Sequence, residues 1–374
     1  MRFEFATATR ILFGPGTLSE LSTLAPALGC RALIVTVGIR PQPLSEMLGD
    51  LVAATFTNDD EPTVDRVREG VARAAGCDLV ISLGGGSVID TGKAIAALVT
   101  NPGDPVDYLE VIGAGKPLTN PPLPFIAIPT TAGTGSEVTA NAVLASPEKR
   151  VKVSLRSPMM LARLAIVDPD LTLTLPPAVT ASSGIDAIAQ VLEPYVSKTA
   201  TPITSALCAD ALRRAGALRR AYDDGTDRAA RESMSLISLF GGIALANAKL
   251  GAAHGFAGPL GGMFHAPHGA LVGALLPHVM AINVQALRQR DPDHVERYAD
   301  VARLLTGSAD PEAGWAFILD LTRHLRIPPL SAYGIRPEHF PEIVAQASRA
   351  SSMKGNPIAL TNDEMTEILR RALG

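Results

Sequence analysis

DLVISLGGGSVIDTGKAIAALVTN, residues 78–101, decides the fold. An apolar run ends in three consecutive glycines and passes directly into a segment with helical spacing of Val, Ile, Ala and Leu. This reads as a buried strand, a tight turn and a crossover helix. The same rhythm continues on both sides: RALIVTV (31–37), LVAATF (51–56) and PFIAIPTT (124–131) read as strands, and VDRVREGVARAAG (64–76) as a helix. Strand and helix in alternation predict a parallel sheet. After LAIVDPDLTLTLPP (164–177) the β-branched runs stop, and Ala- and Leu-rich helical patterns follow to the C-terminus. The Pro176–Pro177 pair before a cap region at Thr180–Ser183 reads as a linker and a new helix start. The expected architecture is an α/β dinucleotide-binding domain over residues 1–175 and an all-helical domain over 176–374, with a cleft between them as the default ligand site.

The 374 residues suit two domains, and a hydrophobic fraction of 47% with only 4% aromatics implies a core of mostly Ala, Leu, Val and Ile. A net charge of −4, without runs of like charge, leaves no footprint for nucleic acid or an anionic membrane and favours a small soluble partner. Three scattered cysteines, with no CxxC pair, make neither a disulfide framework nor a zinc finger. The opening MRFEFATATRILFG does not read as a signal peptide, and no uninterrupted apolar run reaches the roughly 18 residues that span a bilayer. A cytoplasmic protein is expected.

Four stretches carry chemistry. In SLGGGSVIDTGK (82–93), Gly85 and Gly86 let backbone amides approach a phosphate, and Ser87 is expected to begin the helix whose N-terminus favours the anion. The pattern is not GxGxxG and does not follow the first strand, so a simple strand-to-helix turn stands beside the phosphate reading. In IPTTAGTGSEVT (128–139), Thr130, Thr131, Thr134 and Ser136 can line a phosphate or ribose pocket. Two such loops together point to a dinucleotide. In HGFAGPLGGMFHAPHG (254–269), His254, His265 and His268 are three of the seven histidines. In GIDAIAQVLEPY (184–195), Asp186 and Gln190 are one helical turn apart and share a face. Asp186, Gln190, His254 and His268 could supply an O, O, N, N set for one divalent ion, Fe(II) or Zn(II). The other reading makes Gln190 a buried hydrogen-bonding group.

Taken in order, FGPGTLSEL, GGGSVID, IPTTAGTGSE, VDPDLTLTLPP, GIDAIAQVLEPYVS and HGFAGPLGGMFHAPHG resemble the iron-containing (group III) alcohol dehydrogenase family over nearly the whole chain. The resemblance implies an N-terminal dinucleotide domain, a helical metal-binding domain, a homodimer, and metal-assisted hydride transfer between NAD or NADP and a small alcohol or aldehyde. It places the family's metal ligands on Asp186, Gln190, His254 and His268, and departs at Gln190, where the family has His. It departs again at Gly258, where alcohol-reducing members carry a further His; His265 is then the candidate proton relay. Asp90 and Lys152 fall on cofactor-contacting positions. Val37 stands where NAD-preferring members have an Asp, with Arg40 shortly after, so nothing anionic excludes NADP and Arg40 would favour it; both cofactors are expected. Two enzymatic alternatives are a maleylacetate-type reductase, against which Ala253 before His254 speaks mildly, and a glycerol-1-phosphate dehydrogenase or dehydroquinate synthase relative. A non-enzymatic nucleotide-binding regulator that has lost the metal is the third.

Overall fold

The computed structural model describes residues 2–38, 41–149, 151–264 and 266–374, with the side chains of 41–43 also outside the description. Arg40 and His265 therefore lie outside the described residues. The chain forms two compact units, one of Ala6–Thr131 with Gly135–Thr172, the other of Met1–Phe5, Ala132–Thr134 and Leu173–Gly374.

The first unit is built on a six-stranded parallel sheet of order β1-β8-β5-β4-β2-β3. Its strands are β1 (Ile11–Phe13), β2 (Ala32–Thr36), β3 (Val52–Thr57), β4 (Leu79–Gly84), β5 (Phe125–Pro129) and β8 (Leu164–Val167). Every residue of β2, β4, β5 and β8 is buried, which explains why these strands read as continuous apolar runs instead of alternating ones. Ile34, Ile81, Ile128 and Ile166 belong to one cluster of the core, and Val67, Ala94, Leu98 and Leu144 to another. A separate antiparallel hairpin, β6 (Asn141–Ser146) with β7 (Val151–Arg156), was not expected from the sequence. Lys152 belongs to it, in a strand and not in a polar turn.

In the parallel register Gly84 of β4 is opposite Pro129 of β5, and Thr36 of β2 is opposite Leu83 of β4. The GGG loop, the Thr130–Thr131 segment and Val37 consequently leave the sheet at one carboxyl edge, where the chain has switched direction across the sheet, the place at which open α/β sheets bind ligands.

The second unit is helical. Its central helix, Pro177–Val196, is buried continuously from Gly184 to Val196. It starts at Pro177, so Thr180–Ser183 lie inside its first turns and not in a cap; proline tolerates the first helical position because its missing N–H has no acceptor there. Helices Arg228–Asn247, Ala252–Phe264 and His268–Arg290 belong to the same unit. Against the expectation that no apolar run is long enough, His268–Arg290 is long and apolar enough to cross a membrane by length and composition, and 78% of its apolar window is buried. Burial on that scale is that of a core helix.

Candidate active site

At the carboxyl edge of the sheet the helix Gly86–Val99 begins one residue earlier than Ser87. Its N-cap is Gly85 in an extended conformation, and no side chain caps it. The first amides thus keep their donors for an anion, and a Cβ at Gly85 would already touch the Thr131 side chain at 3.4 Å. The Thr130 amide donates to the Gly84 carbonyl at 2.9 Å, which fixes the two loops to each other.

Other predicted cofactor residues are engaged inside the protein. Asp90 accepts from the Ser136 hydroxyl and, at 2.9 Å, from the Val143 amide. The Lys93 ammonium, absent from the sequence-derived set, is fully buried. It donates to the carbonyls of Ser136 (2.7 Å) and Asn141 (2.7 Å) and to the hydroxyls of Ser136 (3.1 Å) and Thr139 (3.0 Å). Burial lowers its pKa, opposed by Asp90 and Glu137. Lys152 pairs with Glu61 at 3.0 Å. Thr134 clusters with the helical unit, unlike Thr130, Thr131 and Ser136.

Three residues at this edge escaped the sequence reading. The Thr36 hydroxyl and the Asn58 carboxamide oxygen, at the ends of β2 and β3, are buried without a hydrogen-bond partner. Asp59 accepts from the Gly38 amide, next to Val37. A carboxylate thus stands beside Val37, brought there by the segment that follows β3 and not by the neighbouring sequence.

In the helical unit, Asp186, Gln190 and Glu193 follow one face of Pro177–Val196 and are all buried. His254 enters from Ala252–Phe264, and His268 opens His268–Arg290. Gly269 makes that entry possible, because a Cβ there would lie 2.0 Å from the Ser182 carbonyl oxygen and 3.3 Å from the Asp186 Cβ. Asp186 Oδ1 is 3.2 Å from His254 Nε2 and 3.8 Å from His268 Nε2. One ligand atom from each residue falls within 4.8 Å of the others, a spacing that could hold a metal ion. Asp186 Oδ1 and His254 Nε2 are buried and, among the described residues, make no hydrogen bond, only their 3.2 Å contact with each other, a condition that a bound ligand would relieve.

Glu193 was quoted within its motif but not recognised. Its Oε2 lies 2.6 Å from His254 Nδ1, and its Oε1 accepts from the Ala253 amide at 2.7 Å. Such a carboxylate fixes the imidazole's orientation, as outer partners of metal-ligating histidines do. Burial pushes the His254 pKa down, but Glu193 and Asp186 outweigh it and raise it to about 10. Burial raises that of Asp186, and His254 and His268 reverse the direction to a net lowering. The corner favours positive charge. Gln190 donates from Nε2 to the Gly133 carbonyl (3.0 Å) and to Asp186 Oδ2 (3.2 Å).

Comparison with known proteins fits this chemistry. The profile "Iron-containing alcohol dehydrogenase" matches residues 8–169, and "Fe-containing alcohol dehydrogenase family, C-terminal" matches residues 180–373. The chain belongs to the iron-containing alcohol dehydrogenase family. Among curated members of that family, 1,3-propanediol dehydrogenase of Klebsiella pneumoniae is 34% identical, covering 99% of this chain and 98% of its own. Lactaldehyde reductase of Escherichia coli is 36% identical over 83% of this chain and 81% of its own. Among solved structures, a 1,3-propanediol oxidoreductase superposes with TM-score 0.90 at 34% identity, covering both chains fully. A sulfoacetaldehyde reductase from Bifidobacterium kashiwanohense in complex with NAD+ gives 0.90 at 29%, covering 100% of this chain and 99% of that one. This iron-containing alcohol dehydrogenase is an oxidoreductase of the alcohol and aldehyde type; the maleylacetate, glycerol-1-phosphate and dehydroquinate synthase readings are not favoured.

Proposed function

We propose that the protein interconverts small aldehydes and primary alcohols with NADH as the preferred reductant, at a divalent ion, Fe(II) or Zn(II), held by Asp186, His254 and His268. The observation that carries this reading is the convergence of two buried ligand atoms, Asp186 Oδ1 and His254 Nε2, which lie 3.2 Å apart and, among the described residues, make no hydrogen bond. Their donor types, one carboxylate and two imidazoles, suit a first-row divalent ion with positions left for substrate. When bound, the ion supplies Lewis acidity toward the substrate oxygen, and the nicotinamide supplies the hydride. Glu193 holds His254 through Nδ1 and so directs Nε2 toward Asp186. The uncapped amides at Gly86–Val99 hold the cofactor diphosphate, and Thr36 and Asn58 offer unspent acceptors at the same edge. The Asp59 carboxylate beside Val37 supports NADH over NADPH, by repulsion of a 2′-phosphate.

The relatives' names support a substrate of propanediol, lactaldehyde or sulfoacetaldehyde size. Three free cysteines, one of them exposed, support a reducing, cytoplasmic setting. Assembly as a homodimer is carried over from the family resemblance, and sedimentation velocity tests it. The function is tested with purified protein assayed for metal content and for aldehyde-dependent oxidation of NADH and of NADPH. About one ion per chain and faster NADH turnover are expected. His254→Ala should lose both the ion and on the order of 10³-fold or more in rate. Full activity in that variant, or in chelated protein, would refute the metal reading; faster NADPH turnover would refute the role given to Asp59.

A further inference from the structure

Gln190 is buried, and the Gly133 carbonyl it meets has no hydrogen to give, so the carboxamide nitrogen faces it and, with its second N–H, reaches Asp186 Oδ2. The orientation of the carboxamide follows from its neighbours: turned over, it would set an oxygen against two oxygens, whereas as it stands both N–H bonds are used.

The two oxygens of Asp186 consequently do different work. Oδ2 accepts from Gln190, while Oδ1, without a hydrogen bond, faces His254 Nε2 and His268 Nε2. Gln190 thus stands on the far oxygen of the carboxylate, with its nitrogen toward it, and ties the carboxylate to the Ala132–Thr134 segment. That segment clusters with the helical unit although it lies between β5 and β6, and Gly133 approaches it so closely that a Cβ there would sit 2.8 Å from the Ser183 Cβ.

We propose that Gln190 is a positioning residue and not a metal ligand, and that the ion is held by only three protein donors, Asp186, His254 and His268. This rests on the metal reading given under the proposed function. Replacing a ligand by a tether exchanges one imidazole for a position open to solvent or substrate, and it leaves the site with the one-carboxylate, two-histidine composition associated with open coordination positions.

The test is Co(II) titration of metal-free wild type and Gln190→Leu, reading the visible absorption bands, the affinity by chelator competition and the melting temperature of the metal-free forms. A positioning role predicts that the Leu variant keeps the wild-type band positions and loses about 10-to-100-fold in affinity, as for other supporting contacts. Its metal-free form should melt lower, because Gly133 and Asp186 lose their donor without any ion being involved. Shifted bands, with metal-free melting unchanged, would show that a ligand had been removed and overturn the proposal. If the Leu variant does not fold, Gln190→Met, similar in length and also without a donor, is read by the same bands. Absence of Co(II) binding in the unmodified protein would instead overturn the metal reading, and this inference with it.

Discussion

Lys93, on the helix after the glycine loop, and His254, in the helical unit, are both buried and both surrounded by oxygen atoms. Around Lys93 those oxygens are two carbonyls and two hydroxyls, all within 3.1 Å, and the ammonium's donors are fully used. At His254, Nδ1 is committed to Glu193, but Nε2 faces a carboxylate oxygen with which it makes no hydrogen bond. A buried charge whose hydrogen bonds are all made holds its surroundings in place. One that keeps an unused, converging atom is built to take something else. The contrast separates scaffold from site more sharply than residue type does, since sequence reasoning selected the histidine and passed over the lysine.

The largest effect expected on the scaffold side is that of Lys93→Met. It leaves four acceptors without their donor, and denaturant unfolding should show a loss of about 3–5 kcal/mol. Metal binding should persist in whatever fraction folds. A cost below about 1 kcal/mol would break the comparison, because the network would then not be what holds the Ser136–Asn141 segment.

Glu137 sharpens it from within the same corner. It is buried, and burial raises its pKa to about 7, against its own backbone amide and Lys93. The folded protein therefore keeps this proton more tightly than the unfolded chain does. The associated stability is complete below the unfolded value of 4.5 and is lost as pH rises to about 7. The loss is on the order of 3 kcal/mol. Unfolding free energies at pH 5 and pH 8 should differ between wild type and Glu137→Gln by roughly that amount, with the variant gaining relative to wild type at the higher pH. An unchanged difference would mean that Glu137 is ionised and well compensated, like Lys93.

The smallest expected effects come from two glycines near the histidines. A Cβ at Gly258, one turn from His254, would meet nothing within 4 Å beyond its chain neighbours, but Pro259 follows it and disfavours a helical residue with a Cβ, which offsets the gain in helix propensity, so Gly258→Ala should change stability by less than about 1 kcal/mol. At Gly269 the same methyl meets the Ser182 carbonyl oxygen at 2.0 Å, so Gly269→Ala should destabilise by about 1–3 kcal/mol and weaken metal binding by displacing His268. Thermal melting with and without metal distinguishes them. Equal effects would mean that the close approach at Gly269 does not set the geometry of the metal corner.

Much of this was legible because it is local. Continuous apolar runs gave three of the four fully buried strands, β2, β4 and β5, and the Asp186–His254–His268 grouping was visible as ligand types in one helical region. Strand register, which no single segment carries, was needed to show that Val37, the glycine loop and Thr130 share one edge. Asp59 and Glu193 were missed because their importance lies in what they meet: a backbone amide on a neighbouring strand in one case, an imidazole on another helix in the other. The β6–β7 hairpin is short and mixed in polarity, with Lys152, Ser154 and Arg156 alternating with Val151, Val153 and Leu155, and no apolar run marks it. The open question over Gln190 turns on which end of an amide faces a carboxylate, and composition carries no information on that point.

Asp186 and its two histidine partners are separated by the entire Arg228–Asn247 helix, so no short stretch of the chain can assemble the ion's donors alone. On a ribosome, the aspartate emerges long before either imidazole, and bringing them together closes a large loop whose entropy must be offset by helix packing. Capture of the ion by all three donors then waits at least until the chain has passed residue 268. The fraction of metal-bearing molecules in a preparation would report how completely this unit has matured.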